Sequence, residues 1–579
     1  MSNPLRQFPL VLTTVATLIV SAACAGTSDR TAGPAPGPSA SGLPTASPTP
    51  GGSPDPAAQA AELVARLGDE DLVGQVLMPY AYGDSATRVS SGSAAGNRKL
   101  AGVDTPAEMI ARYRLGGLIL VGFSADDPTG SNQPTTNVDS PEQVRKLTGG
   151  LQEAAGKLTA GAVPMLVGID QEFGVVTRIS DGVTNLPSAM ALGAAGEPPL
   201  TEKAWRAAGG ELAALGVNVD FAPSADVLSE DRSTVIGSRS YGSDPKAAGA
   251  QVGAAVRGLQ GAGVAATLKH FPGHGQTAAD SHKGLPVVRQ DQKKLRANAL
   301  PPFSAGIDAG AWLVMSGHLD VQAVDPGVPA TFSRKLLIDL LRGELGFTGV
   351  LVTDAMNMAA VTDQPTGKAV VRAINAGNDL VLMPPNVTEA YDGLLAALRD
   401  GSLSRDRLVE AVTRVLTLKF RLAGRTAPEL DTLNSQEHQE AARQVAAAAV
   451  TVLRGDCTAA PVAGPVTVTS SGGRDRTREL LTEALTRAGV KVVPSGGTVV
   501  HLVGYGDGVG DLRGDATVTV GMDTPYLLGR ARSKVLLATY SSTAASMTAL
   551  AEVLAGRAKP TGRSPVPVSG LPRSTCTAR

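Results

Sequence analysis

Residues 264–282 read VAATLKHFPGHGQTAADSH. The first half is a short apolar run closed by Lys269-His270. The second half is a loop broken by Pro272, Gly273 and Gly275 and ending in Asp280-Ser281-His282. A short apolar run bounded by turn residues reads as a strand covered on both faces. Seven other runs share this form: VGQVLMP from Val73, GGLILVG from Gly116, VPMLVGID from Val163, VNVDFAP from Val217, AWLVMSGH from Ala311, GVLVTDA from Gly349 and DLVLMP from Asp379. Amphipathic stretches separate them. In the clearest, Ser333 is placed to cap an α-helix, Leu337, Leu341 and Leu345 recur at helical spacing, and Gly346 stops it. Eight strand–helix units predict a (β/α)8 barrel of the TIM type. Polar residues stand where the runs end: Asp170, Asp220, Lys269, His270, His318 and Asp354. In such a barrel the C-terminal strand ends form the active-site face.

The loop after Lys269-His270 therefore belongs to that face. Together with His270 it holds three of the chain's six histidines. An aspartate two residues before a histidine can accept from one ring nitrogen and make the other more basic, so Asp280 and His282 suit proton transfer near neutral pH. A zinc reading would draw on His270, His274, His282 and His318. Their spacings match no standard ligand pattern, and neither a metal nor an organic cofactor is expected.

The chain has 579 residues, 43% hydrophobic and 18% charged, with a formal net charge of -1. That composition supports more than one packed domain. Basic runs with interleaved aromatics are missing, which argues against a nucleic-acid partner. Residues 8–20 are apolar and too short for a comfortable membrane span, and Ser21-Ala22-Ala23-Cys24 follows. This resembles a bacterial lipoprotein signal with Cys24 as the lipidated residue, although Ser21 stands where leucine is usual. The alternative is ordinary secretion with cleavage at the alanine-rich site. Either reading predicts an extracytoplasmic protein, anchored to the membrane by lipid in the first case.

The expected organisation is a signal segment over 1–24, a Pro/Ser/Gly-rich tether over 25–58, a barrel over 59–427 and a smaller C-terminal α/β domain over 428–579. In the last part VTVTSS, TVVHLVGYG, ATVTVGM and KVLLATY read as strands. Cys457 and Cys576 are a possible pair in an oxidising compartment, and spacing alone leaves this open.

KHFPGHGQTAADSH resembles the signature loop of glycoside hydrolase family 3 β-N-acetylglucosaminidases. IDQEFGVVTRI from Ile169, VNVDFAP, IGSRSYGSDP from Ile236 and VTDAMNM from Val352 resemble family segments in family order. The second domain resembles the C-terminal α/β sandwich of two-domain members, chiefly through LLATYSSTAASMTALAEVLAGRAKPTGRSPV. The resemblance implies Asp354 as nucleophile, His282 as general acid/base with Asp280 as its partner, and Asp170, Arg178, Arg239, Lys269 and His270 as substrate contacts. The usual DQEGGRVQR is DQEFGVVTR here, so Phe173 replaces a glycine and Val175 an arginine. Asp220 is read as either a sugar contact or an ordering residue, and His274 as loop-ordering.

The implied activity is a retaining exo-β-N-acetylglucosaminidase acting on β-linked glycosides, with peptidoglycan fragments as the expected substrate of an exported member. Phosphorolysis by the same residues is an alternative. So are a family 3 β-glucosidase, a metal-dependent barrel hydrolase and a non-catalytic glycan-binding lipoprotein.

Overall fold

The computed structural model describes residues 55–122, 135–229, 235–277, 281–457 and 461–576. Cys24, most of the expected tether and Asp280 lie outside the described residues.

The eight expected runs supply eight parallel strands: β1 (Leu77–Met78), β2 (Gly117–Leu120), β3 (Leu166–Ile169), β4 (Val219–Asp220), β5 (Ala265–Phe271), β6 (Leu313–Ser316), β7 (Val350–Thr353) and β8 (Val381–Leu382). Strands β2 to β7 pair in chain order, and β1 pairs with β8. A parallel bridge between Val352 and Leu380 joins β7 to β8. The Ile119 N–H donates to Pro79 O at 3.0 Å, joining β2 to β1 and closing the ring.

Successive side chains alternate between two cores, as the strand period requires. Ile119, Leu166, Leu313, Met315, Val350 and Val352 fill the barrel interior. Leu118, Leu120, Val167, Val314 and Leu351 point outward into the layer shared with the helices.

Three local expectations are corrected. The run from Val73 is only partly strand, because Asp69–Gln75 is a helix with Asp69, Glu70 and Asp71 in its first turn, where acidic groups favour a helix N-terminus. Lys335–Glu344 winds with i→i+5 hydrogen bonds in place of α-helical ones, although Ser333 Oγ does accept from Leu336 N at 3.3 Å. The expected tether gives way to helix before residue 58. Pro56–Val64 is helical, started by Asp55 accepting from Ala57 N and by Pro56 at its first position.

Past the barrel, Gln436–Ala449 leads into a five-stranded sheet. Its strands are β9 (Thr451–Arg454), β10 (Val466–Ser470), β11 (Thr498–Val503), β12 (Val518–Gly521) and β13 (Val535–Ala538), in spatial order β9-β13-β12-β11-β10. Only β9 runs antiparallel to its neighbour. A disulfide joins Cys457 to Cys576, tying the end of this domain to the segment after its first strand. An apolar cluster shared by Met190, Val235 and Ile236 of the barrel and Leu528, Tyr540 and Val566 of the second domain packs the two together.

Candidate active site

The C-terminal ends of the barrel strands surround a pocket lined by Asp170, Glu172, Arg178, Arg239, Lys269, His270, His274, Ser281, His282 and Asp354, with Met315, Met358 and Met383 among its apolar walls. All the sequence-expected site residues within the described segments are therefore brought together. Asp280 cannot be placed, since it lies outside them.

Lys269 and His270 are consecutive, yet both line the pocket. The pairing of β5 with β6 shifts register between Leu268 and Phe271. A bulge of this kind breaks the alternation that would otherwise send one of the two side chains outward.

A buried ion network forms one side of the pocket. Arg239 grips Glu172 at two points, with Nε donating to Oε2 at 2.7 Å and Nη2 to Oε1 at 2.8 Å. Lys269 Nζ lies 2.6 Å from Glu172 Oε1 and 2.7 Å from Asp170 Oδ1. Arg178 Nη2 stands 3.9 Å from Asp170 Oδ2. Burial pushes the Glu172 carboxyl up, but Arg239 and Lys269 together hold it well below the usual carboxylate range. Burial pulls Lys269 down, and Asp170 and Glu172 more than reverse that, so it remains an ammonium.

Asp354 directly follows β7. Its Oδ1 accepts from Ala355 N at 2.8 Å. Burial pushes this carboxyl up, but His270, His318, His282 and the Ala355 N–H outweigh burial and keep it below the usual range. It is therefore an ionised carboxylate at neutral pH.

Asp226, which the sequence reading did not single out, is buried and holds two of the pocket's histidines. Its Oδ2 takes His270 Nδ1 at 2.7 Å, and its Oδ1 accepts from His274 N at 2.6 Å. His274 is buried with Nε2 3.1 Å from Ser281 Oγ, so it orders the loop that presents His282. His318 is buried behind Asp354, and both its nitrogens are engaged, Nδ1 with Thr331 Oγ1 at 2.7 Å and Nε2 with Ala355 O at 3.0 Å.

Asp220 takes no place in the pocket lining. It is fully buried, its Oδ1 accepts from Gln171 N at 3.0 Å, and burial pushes its carboxyl well above the usual range. It orders the segment between Asp170 and Glu172.

In that segment Phe173 has φ 64°, a conformation that costs a non-glycine residue about 1–2 kcal/mol. Its ring is buried edge-on against Trp205, with centroids 5.6 Å apart, and this packing offsets the cost. The phenylalanine thus holds the backbone shape that a glycine would adopt freely.

Residues 72–418 match the glycosyl hydrolase family 3 N-terminal domain. The chain belongs to glycosyl hydrolase family 3. Within this family it is 35% identical over 381 residues to β-hexosaminidase A of Pseudoalteromonas piscicida, covering 60% of this chain and 61% of the relative. It thus spans about three fifths of that protein's length. A β-hexosaminidase of Stenotrophomonas maltophilia is 37% identical over 314 residues, covering 48% of this chain and 90% of the relative. The solved family 3 β-N-acetylglucosaminidase from Paenibacillus sp. superposes with a TM-score of 0.74 at 33% identity, covering 87% of this chain and 99% of the other.

Two residues that shape the pocket escaped the sequence reading, Glu172 in its lining and Asp226 buried against two of its histidines. Glu172 stands inside the quoted DQEFGVVTR, and its spacing of two from Asp170 after a strand end was the available signal. Asp226 lies six residues beyond β4 and carried no comparable signal.

Proposed function

We propose that the protein is a retaining exo-β-N-acetylglucosaminidase. Asp354 attacks C1 of a terminal N-acetylglucosaminide to form a covalent glycosyl-enzyme. His282 gives its proton to the departing oxygen. Water then replaces the leaving group, loses a proton to His282 and attacks C1 again, releasing the sugar with its β-configuration restored. Asp280 is the partner that orients His282. Asp170, Arg178, Arg239, Lys269 and His270 bind the sugar hydroxyls and acetamide through charge-assisted hydrogen bonds.

The observation that carries this reading is that His282 and the ionised Asp354 line one pocket while arriving from different strand ends. The names of the β-hexosaminidase relatives support the sugar class. The test is release of N-acetylglucosamine, one residue at a time, from the non-reducing end of β-linked oligosaccharides. Peptidoglycan fragments are the substrate we favour, since we also propose export and lipidation at Cys24. An imidazole brings no negative charge against an anionic acceptor, so the assay includes inorganic phosphate. A sugar 1-phosphate product would assign phosphorolysis. Membrane retention that disappears in Cys24→Ser tests the anchor.

A further inference from the structure

Among the described residues, the pocket lining includes Asp170, Glu172, Val176 and Arg178 but not Gln171. These residues belong to one hairpin that follows β3. Phe173 bridges Val176 in antiparallel fashion, and the Glu172 N–H donates to Val176 O at 3.0 Å. Beyond that rung a side chain takes over. Gln171 is buried, and its Oε1 accepts from Arg178 N at 2.9 Å and from Ile179 N at 3.0 Å. Its Nε2 donates to Ile179 O at 2.8 Å. Its own backbone N–H donates to Asp220 Oδ1 at 3.0 Å. The side-chain amide thus pairs with Ile179 as the peptide of a neighbouring strand would. Two N–H groups facing one end and a carbonyl facing the other dictate which end is oxygen and which is nitrogen. Few side chains can do this, because the position needs an acceptor and a donor at once.

We propose that Gln171 is a positioning residue for the sugar-binding side of the pocket. It staples the end of the hairpin that carries Arg178 to the end that carries Asp170. It thereby sets the spacing of two groups that must meet the same ligand, and whose Nη2 and Oδ2 atoms stand 3.9 Å apart. The consequence for binding rests on the proposed reading of the pocket; the staple itself does not.

The test uses the full chain and two readouts. Amide hydrogen exchange at Arg178 and Ile179 reports the staple whatever the enzyme's substrate. Steady-state kinetics on an aryl N-acetyl-β-glucosaminide report binding. Gln171→Met keeps the length of the side chain and removes its hydrogen bonds. It is expected to speed exchange at both amides by about tenfold and to raise KM by about fivefold to tenfold with kcat little changed. A loss of folded protein alone would lower the apparent kcat and leave KM where it was. Gln171→Glu supplies the rescue. Burial favours its neutral acid, which offers the same acceptor oxygen and a hydroxyl donor for Ile179 O. At about pH 5 its KM is expected close to wild type, while that of Gln171→Met stays high. The control is Gln152→Met. Gln152 makes the same kind of pair with the backbone of Met165, just before β3 and so at the far end of that strand from the pocket. Its loss is expected to leave KM unchanged. Wild-type KM or wild-type exchange in Gln171→Met, a Gln171→Glu enzyme no better than Gln171→Met at that acidic pH, or an equal rise of KM in Gln152→Met would overturn the proposal. A wild-type enzyme that bound no N-acetylglucosaminide would instead sink the reading of the pocket and leave the exchange result to decide the staple.

Discussion

His270 and Asp226 are joined through Nδ1 and Oδ2 at 2.7 Å, with Arg239 Nη2 3.3 Å from the opposite ring nitrogen. A guanidinium only donates, so Nε2 accepts and Nδ1 carries the proton shared with Asp226. The carboxylate therefore fixes both the tautomer and the ring plane of a residue that faces the pocket. Asp226→Asn keeps the volume but removes the charge and leaves one acceptor oxygen where two serve His270 Nδ1 and His274 N. We expect kcat/KM on an aryl N-acetyl-β-glucosaminide to fall by about tenfold to a hundredfold with the far-UV circular dichroism unchanged.

Glu172 is the anion that makes Arg239 and Lys269 tolerable in a buried site. Without it, Arg239 loses both points of its grip and Lys269 keeps only Asp170. Removing one partner of a buried ion pair costs about 3–5 kcal/mol. Urea denaturation of Glu172→Ala is expected to show a loss of that order, larger than that of Glu172→Gln, which still offers an oxygen to Arg239.

Stability should also depend on pH through His274. Burial lowers this imidazole from 6.5 to about 4. Between those values the unfolded chain holds more protons than the folded one, so stability rises with pH. The contribution of His274 is complete above about 6.5 and is lost as pH falls toward about 4, with an upper size of about 3 kcal/mol. His274→Gln removes the titration and keeps a polar partner for Ser281. The measurement is the free energy of urea unfolding across this window, and the variant is expected to give the flatter curve.

The Cys457–Cys576 bond closes a loop spanning 119 positions of the second domain. Removing such a cross-link costs about 2–5 kcal/mol. The double variant Cys457→Ser/Cys576→Ser should therefore unfold at lower urea concentration, and reductant should shift the wild type to the same midpoint while leaving the variant unmoved.

The barrel was legible because each strand is covered on both faces and so writes itself as an apolar run. The catalytic face was legible because the polar residue that ends each run, Asp170 or Asp354 for example, interrupts that pattern. Asp226 was not legible, since its value lies in reaching His270 and His274, and those contacts span 44 and 48 residues. The i→i+5 winding of Lys335–Glu344 was hidden for another reason. A leucine every four residues marks the buried face of a helix and says nothing about which carbonyl each N–H will choose.

The nucleophile is the claim on which the rest of the chemistry depends. The direct measurement compares wild type, Asp354→Asn and His282→Ala on an aryl N-acetyl-β-glucosaminide, with intact-protein mass recorded during turnover. The wild type should gain the mass of one N-acetylglucosaminyl group on the peptide containing Asp354, and Asp354→Asn should lose roughly a thousandfold or more in kcat and form no adduct. Turnover by Asp354→Asn at the wild-type rate, or a sugar adduct on some other residue, would contradict the account.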